Sequence, residues 1–495
     1  MSPEAGPGDG AADRSAVIFG NPVPAKARRA AERKKAAFAR RYGDDSGVRY
    51  ELSASPNATL GPLFGLEELV LGGGGKPIDG AKGVAIGAIR MGYGHYRPAM
   101  AIASAAAARG LVPYWMNLLA YGETTGAKVI AEQNRLYSMG SRWSQKYPLF
   151  DKLVWEPLNY EGFKKLSYNA GDQKVSELFA PVLGALPRDL PFVGTHSWAS
   201  QAAVHAGMTR VVNMMVDNWP MALHLAEGSI HTVQGPSSWF GYRALAGFGG
   251  GGTALKMMPP GSLKLTGHVV DHELVANAEA DCARRLARVR GGKARRLLLS
   301  VGGAGAQREL LARILAALKG DVEAGKVAIL LNVGDHRGVW EGLARDLPWL
   351  GAAAVRHFDD FGETKAFCAA ALDGEVAGVH AFLHEDIFAA VYATNLLMRC
   401  ADVLATKPSE LAYYPVPKLF LKRIGGHEAW GAIRGAELGD GTIECRTPAL
   451  LSQALELLFR DDELLPLMCD SIVRQKSIGT YDGAYRVLDL ATGKG

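Results

Sequence analysis

Gly83-Val-Ala-Ile-Gly87-Ala-Ile-Arg90-Met-Gly92-Tyr-Gly94-His95-Tyr-Arg97-Pro98-Ala99-Met-Ala101-Ile-Ala103 decides the fold class. A short apolar run leads into a glycine turn carrying one histidine, and an alanine-rich helix follows. This predicts a strand-loop-helix unit with an ionisable side chain at the strand's carboxyl end, the edge where open α/β sheets place their ligands. The glycines let backbone N–H groups approach a ligand closely, and the start of the helix favours an anion or developing negative charge. His95 is the side chain of this loop that exchanges a proton near neutral pH.

The pattern continues in both directions. Apolar runs at 111–116, 191–195 and 210–216 alternate with helical stretches at 97–109 and 198–207, which predicts a parallel sheet with crossover helices. A second series begins at Arg295, with runs at 296–301, 327–333, 352–358, 401–407 and 417–422. Helices are expected at 308–319, 386–399, 447–460 and 462–476. Residues 120–180, rich in Tyr, Trp, Phe and Lys and including Arg142, Trp143, Tyr147, Trp155 and Tyr160, read as a helical insertion. A glycine-rich loop at 241–262 precedes a hinge. The expected organisation is a disordered, basic extension over 1–60, a first α/β domain over 78–265, a hinge over 266–294, a second α/β domain over 295–475, and a tail over 476–495.

At 495 residues the chain exceeds one core, in keeping with two large domains. Hydrophobic content of 48% against 21% charged residues is that of a globular protein, and many of the 60 glycines follow apolar runs, as in α/β loops. A net charge of +5 is too mild to point to nucleic acid and fits small anionic ligands or a membrane surface. Five scattered cysteines with no close pair read as reduced thiols of a cytoplasmic protein. The start of the sequence has no signal-peptide pattern and no run is apolar enough to span a bilayer, so any membrane role would be peripheral. Residues 25–42, with eight lysines and arginines, read either as an electrostatic hook for anionic lipid or as a solvated helix.

In order along the chain, several stretches resemble the GT-B glycosyltransferases of the monogalactosyldiacylglycerol synthase and MurG type. They are Gly92-Tyr-Gly94-His95-Tyr-Arg97-Pro98-Ala99; Thr195-His196 with Val211 to Asp217-Asn-Trp219 and His224; Thr266-Gly-His268-Val-Val-Asp271; Ser300-Val-Gly302-Gly303-Ala-Gly305; and Ala401-Asp402-Val-Leu-Ala-Thr406-Lys407, Glu410 and Pro417. The resemblance spans roughly 83–460 and implies an α/β fold of two doubly wound Rossmann-like domains facing across a cleft. It also implies transfer of a sugar, with inversion and without metal or cofactor, from a nucleotide-sugar (UDP-type) donor to a lipid-like or other hydrophobic acceptor. Two departures stand out. Only Pro408-Ser409 separates Lys407 from Glu410, where the family carries a longer glycine-rich loop for the diphosphate, and His268 stands where the family often has proline.

Such a transfer needs a base for the acceptor hydroxyl and positive dipoles for the leaving diphosphate. His95 is the candidate base, with Asp217 to hold its tautomer or act as base itself; the bland readings are a backbone-satisfied loop histidine and a helix N-cap. Gly302, Gly303 and Gly305 are candidates to present N–H groups to phosphate. Lys407 and Ser409 would flank the phosphate, Glu410 the ribose and His384 the base of the donor. Gly92, Tyr93, Gly94, Arg97, His196 and Trp219 line the expected acceptor side, and surface placement is the simpler account of Tyr93 and Arg97. His380, His384, Glu385 and Asp386 cluster without an evident third metal ligand. The rival readings are a nucleotide-sugar epimerase or hydrolase on the same fold and a non-catalytic binding protein. Sugar, acceptor and oligomeric state are not legible.

Overall fold

The computed structural model describes residues 13–147, 149, 152–153, 157, 162–302, 305 and 307–494. It contains two parallel sheets flanked by helices, as the alternation of apolar runs and helices requires. An N-terminal hairpin, β1 (Val17–Ile18) and β2 (Asn21–Pro22), comes first. The first sheet contains β3 (Leu52–Pro56), β4 (Glu67–Leu71), β5 (Gly83–Ala88), β6 (Val112–Asn117), β7 (Phe192–Gly194), β8 (Val211–Met214), β9 (Ile230–Val233) and β10 (Leu263–Leu265). Its eight strands run in the order β10-β9-β8-β7-β5-β6-β4-β3, all parallel except the edge strand β3, which pairs antiparallel with β4. The second sheet contains β11 (Arg295–Ser300), β12 (Val327–Asn332), β13 (Val355–Phe358), β14 (Val379–Leu383), β15 (Val403–Thr406) and β16 (Lys418–Phe420). Its order is β13-β14-β12-β11-β15-β16, all parallel.

The strand order reverses beside β5, between β6 and β7, in the first sheet. It reverses beside β11, between β12 and β15, in the second. A crevice opens at the carboxyl ends of strands wherever consecutive crossovers leave in opposite directions. The two switch points therefore fall at the Gly92–His95 and Thr195-His196 loops of one domain and at the Gly302 and Lys407–Glu410 loops of the other. β5 and β11 are buried at every position, because helices cover both faces of each sheet.

The domain boundaries differ from those expected. Residues 13–24 are not disordered: Ile18, Phe19 and Val23 are buried, and Asn21 bonds the backbone of Lys256. The first domain begins before residue 78, since β3 and β4 extend its sheet. Thr266 to Asp271 form the crossing between domains, and the rest of the expected hinge is the helix His272–Arg290, packed on Leu464–Ser477. The expected tail contains the helix Gly483–Thr492, which returns to pack on Tyr96–Ala108. Ala484, Val487, Leu488 and Ala491 of this helix, Phe388, Val391 and Tyr392 of the second domain, and Tyr96, Met100 and Trp115 of the first form one buried cluster. The two domains are thus joined by shared apolar packing as well as by the chain.

Helix Ala25–Tyr42 lies on helix Leu166–Ser176, buries Ala31, tucks in Phe38 and Tyr42, and pairs Lys34 with Asp172 and Lys35 with Glu177. Lys26, Arg28, Arg29, Arg33 and Arg40 remain exposed. The expected insertion is helical at Thr125–Lys146, Leu166–Ser176 and Ala180–Leu183, while Trp155 and Tyr160 lie outside the described residues. All five cysteines are buried and free. Among the described residues no helix is long and apolar enough to cross a membrane.

Candidate active site between the two sheets

The β5 loop is shaped by backbone conformation. Gly92 has φ 75°, a left-handed value that a side chain disfavours, and it turns the chain so that His95 precedes the helix Tyr96–Ala108. The His95 Nδ1 lies 2.6 Å from the carbonyl oxygen of Thr195, at the end of β7. A carbonyl only accepts, so Nδ1 carries the proton and the Nε2 lone pair is left for a substrate. Thr195 in turn donates its hydroxyl to the His95 carbonyl over 2.9 Å. Burial lowers the His95 pKa, opposed by the Thr195 bond and the charges of Asp217 and Glu410, so the ring is neutral at pH 7.

His196 stands beside it, ring centroids 4.5 Å apart. Its Nδ1 accepts from the Trp198 N–H over 3.1 Å, so its proton is on Nε2. Burial, then the neighbouring His95 and His224, hold its pKa well below the usual value. The two imidazoles thus have opposite tautomers, one offering a lone pair at Nε2 and the other an N–H. A cavity of about 40 Å³ opens between His95, His196, Asn213 and His224.

Asp217 does not bond His95; the Thr195 carbonyl fixes that tautomer. Asp217 lies 3.5 Å from His224 Nε2, and His224 Nδ1 lies 2.6 Å from the hydroxyl of Tyr242. Burial lowers His224 to about 4, against the pull of Asp217.

The second domain meets this loop directly. Arg97 is only 1% exposed; it donates to the Val391 carbonyl at 3.1 Å and to Thr394 Oγ1 at 3.0 Å, with Nε 3.4 Å from Glu410 Oε1. Surface placement therefore does not hold for Arg97. Nor does it for Tyr93, which is 2% exposed and bonds Asp335, the residue that Arg90 reaches at 2.5 Å. Gly334 permits that approach: a Cβ there would lie 2.2 Å from the Tyr93 hydroxyl, and its φ is 62°. Glu410 Oε2 points toward Gly94, 3.9 Å from where a Cβ would stand.

Lys407 packs against Gly302, a Cβ there lying 3.0 Å from its Cε, and its ammonium pairs with Glu428. Burial pulls the Lys407 pKa down, and Glu428, Glu410 and Asp217 together raise it above the ordinary value, so it stays charged. Ser409 turns the chain into Glu410–Tyr413. Trp219 and Trp430 face each other from the two domains with ring centroids 5.3 Å apart, and Lys164 sits over Trp219 at 5.2 Å.

The structure thus gathers Gly92, Tyr93, Gly94, His95, Arg97, His196 and Asp217 against Gly302, Lys407, Ser409 and Glu410, with Trp219 at the rim. His384 is not among them: its Nε2 bonds Thr364 Oγ1 at 3.1 Å and its ring packs on Phe361. His380 instead pairs with His357, and no group of three or more potential metal ligands exists among the described residues. Gly303 lies outside the described residues, while Gly305 backs on His336.

Sequence reasoning missed Asp335, Trp430 and a set of cations beyond the glycine loop. Arg308, Arg313, Lys422 and Arg446 line a groove of about 680 Å³ beginning at Gly305. Their legible signal was two arginines on the helix that follows a glycine loop. Asp335 and Trp430 carried none, because only the facing of the domains brings them to the site.

Residues 17–244 match a family model described as domain of unknown function (DUF6937), and residues 258–492 match domain of unknown function (DUF6938). No curated protein matches the chain. The solved structures similar to it include the following three. An α,α-trehalose-phosphate synthase (UDP-forming) from Burkholderia vietnamiensis is 15% identical over 72% of this chain and 83% of that one, with a TM-score of 0.37. MnaA of S. aureus with UDP is 11% identical over 82% and 95%, with a TM-score of 0.41. A UDP-GlcNAc 2-epimerase from Neisseria meningitidis bound to UDP-GlcNAc is 10% identical over 83% and 98%, with a TM-score of 0.41.

Proposed function

We propose that the chain is a glycosyltransferase that moves a sugar from a nucleotide-sugar donor of the UDP type to a hydroxyl of a lipid-like acceptor, with inversion. One observation carries the reading: a neutral histidine with a free Nε2 lone pair, at the switch point of one sheet, faces a carboxylate and a lysine at the switch point of the other. His95 Nε2 takes the acceptor proton as the hydroxyl attacks, and His196 Nε2–H steadies the attacking oxygen. Positive charge that builds on His95 is stabilised by Asp217 and Glu410. The anomeric bond to the diphosphate breaks as the new glycosidic bond forms, and the leaving charge meets the backbone of the Gly302 loop and Lys407. Glu410 Oε2 is directed to the ribose while Oε1 keeps Arg97. Trp430, backed by Trp219, offers an apolar ring face to a sugar.

The acceptor side of the proposal is supported by a surface. Leu136, Trp143, Tyr147, Leu149 and Leu153 are exposed large apolar side chains of one stretch, and helix Thr125–Lys146 of that stretch packs on helix Ala25–Tyr42 with its exposed lysine and arginines. The two helices meet where Arg41 pairs with Glu132, one turn before Leu136, and apolar bulk with a cation at its edge suits the headgroup boundary of an anionic membrane.

A second reading is favoured by the cavity between His95 and His196. Its volume of about 40 Å³ admits a water, and water in place of an alcohol would make the reaction hydrolysis of the donor. The experiment is titration calorimetry with UDP and UDP-sugars, with Glu410→Ala as control, followed by turnover with and without a lipid acceptor. Binding lost in Glu410→Ala supports the cleft. No binding at millimolar ligand overturns it, and donor turnover without acceptor selects hydrolysis.

A further inference from the structure

The Lys407–Glu410 loop is short, and Lys407, the cation the cleft offers to a leaving diphosphate, is shared with Glu428. The groove beyond the glycine loop has the opposite character. Of its charged lining residues, Arg308, Arg313, Lys422 and Arg446 are cationic and Glu309 alone is acidic. Two of the cations are partly satisfied: Arg308 lies 3.3 Å from Asp346, and Arg446 lies 3.8 Å from Glu444, a carboxylate that also serves Arg423 at 3.0 Å. Arg313 and Lys422 have no carboxylate within ion-pair reach among the described residues. Four cations held around one concavity repel each other, and that cost is relieved by a bound anion rather than by the sparse local carboxylates.

The walls come from four separate parts of the chain, one of them Gly338-Val339. Gly305 and Gln307 close the glycine loop, and Gln307 has φ 72°, a strained value for a residue with a side chain. Its side-chain amide bonds the Lys422 carbonyl, which ties the loop to the end of β16. Cys445, Thr447 and Pro448 form the facing wall, with Thr447 Oγ1 accepting from the Leu450 N–H. A volume of about 680 Å³ lies inside the range of small-molecule sites, roughly 300–1,000 Å³. The guanidinium forks of Arg308, Arg313 and Arg446 match phosphate oxygens two at a time. The groove also neighbours the cleft: Gly305 packs on His336, whose ring lies 5.8 Å from that of Tyr93.

We infer that this groove is a binding site for a diphosphate-bearing ligand, held by Arg308, Arg313, Lys422 and Arg446. The chemistry is shared by two sources, the diphosphate of a nucleotide donor reaching over the glycine loop and a separate polyphosphate effector. The site does not depend on the cleft reading.

The test is titration calorimetry of the full chain with inorganic pyrophosphate and with UDP. It compares the wild type with Arg313→Gln/Lys422→Gln, both exposed positions whose change leaves the core intact, and with Glu309→Gln. Pyrophosphate binds the wild type, more weakly as salt rises. The double variant loses roughly tenfold or more per side chain removed, and Glu309→Gln binds more tightly. If pyrophosphate displaces UDP and the double variant weakens both, the groove takes the donor's diphosphate. If both bind together and only pyrophosphate is weakened, it is a separate polyphosphate site. Pyrophosphate binding with no UDP binding at all sinks the cleft reading and leaves the groove standing. Equal pyrophosphate affinity in wild type and double variant, or none at millimolar concentration, overturns the inference.

Discussion

Replacing Arg97 by methionine isolates what holds the two domains together at the site. The side chain is 1% exposed and reaches from the first domain into the second, donating to Val391 and Thr394 at 3.1 and 3.0 Å with Glu410 at 3.4 Å. Methionine restores most of the buried volume but none of the donors, so packing loss is small and polar loss dominates. Two hydrogen bonds from a charged donor are worth roughly 1.5–3 kcal/mol each, and stranding a buried partner costs about 3–5 kcal/mol in all. The Glu410 side chain is 13% exposed and recovers some water, which places the expected loss near the lower end, about 3 kcal/mol. Urea unfolding followed by tryptophan fluorescence reads the loss, and hydrogen exchange of helix Ile387–Cys400 locates it. In the wild type the domains unfold together; in Arg97→Met the helix exchanges ahead of the rest. Arg97→Lys keeps the charge and loses the fork, so it falls between the two. A loss under about 1 kcal/mol with unchanged exchange would refute the reasoning, because a buried guanidinium with three partners cannot be neutral to remove unless the domains do not close on it.

Three other outcomes follow from the same geometry. His95→Gln lowers turnover by roughly 10²–10⁴-fold with UDP affinity unchanged, and equal turnover removes His95 from the base role. Because burial lowers the His95 pKa below 6.5 and the base must be unprotonated, kcat/KM stays level through neutrality and falls only at pH below 6.5; an acid limb centred above 6.5 contradicts the assignment. Trp430→Ala weakens UDP-sugar binding by about 1 kcal/mol while UDP alone binds as before; an equal loss for both ligands removes the sugar from the indole pair.

The fold was legible where hydrophobic runs were long and bounded by glycine. Gly83–Ala88, Val327–Asn332 and Val403–Thr406 fall within their expected runs, because a strand covered on both faces must be apolar throughout. Some of the strands that escaped are of another kind. Leu52–Pro56 and Glu67–Leu71 belong to an edge pair and mix polar with apolar residues. Val379–Leu383 has a histidine at its second position, and the sequence around it reads as a cluster of histidines and carboxylates without a third metal ligand, not as a strand. On the site, loop residues at strand ends were legible from the residues themselves. Their partners were not, since the Thr195 carbonyl, Asp335 and Trp430 act through placement in space.

The double duty of Glu410 links those two halves. Its Oε1 is engaged by Arg97, so the carboxylate is held by the first domain before any ligand arrives. Its Oε2 faces Gly94, where the missing side chain leaves the space that the proposed function gives to a ribose hydroxyl. A residue larger than alanine at position 94 would fill that space without touching the packing of either sheet. Donor affinity would then fall while the Arg97 contacts, and with them the joint unfolding of the domains, survive. The Gly94 and Arg97 substitutions therefore separate two properties that one carboxylate combines: Gly94→Leu tests what Glu410 binds, and Arg97→Met tests what holds it.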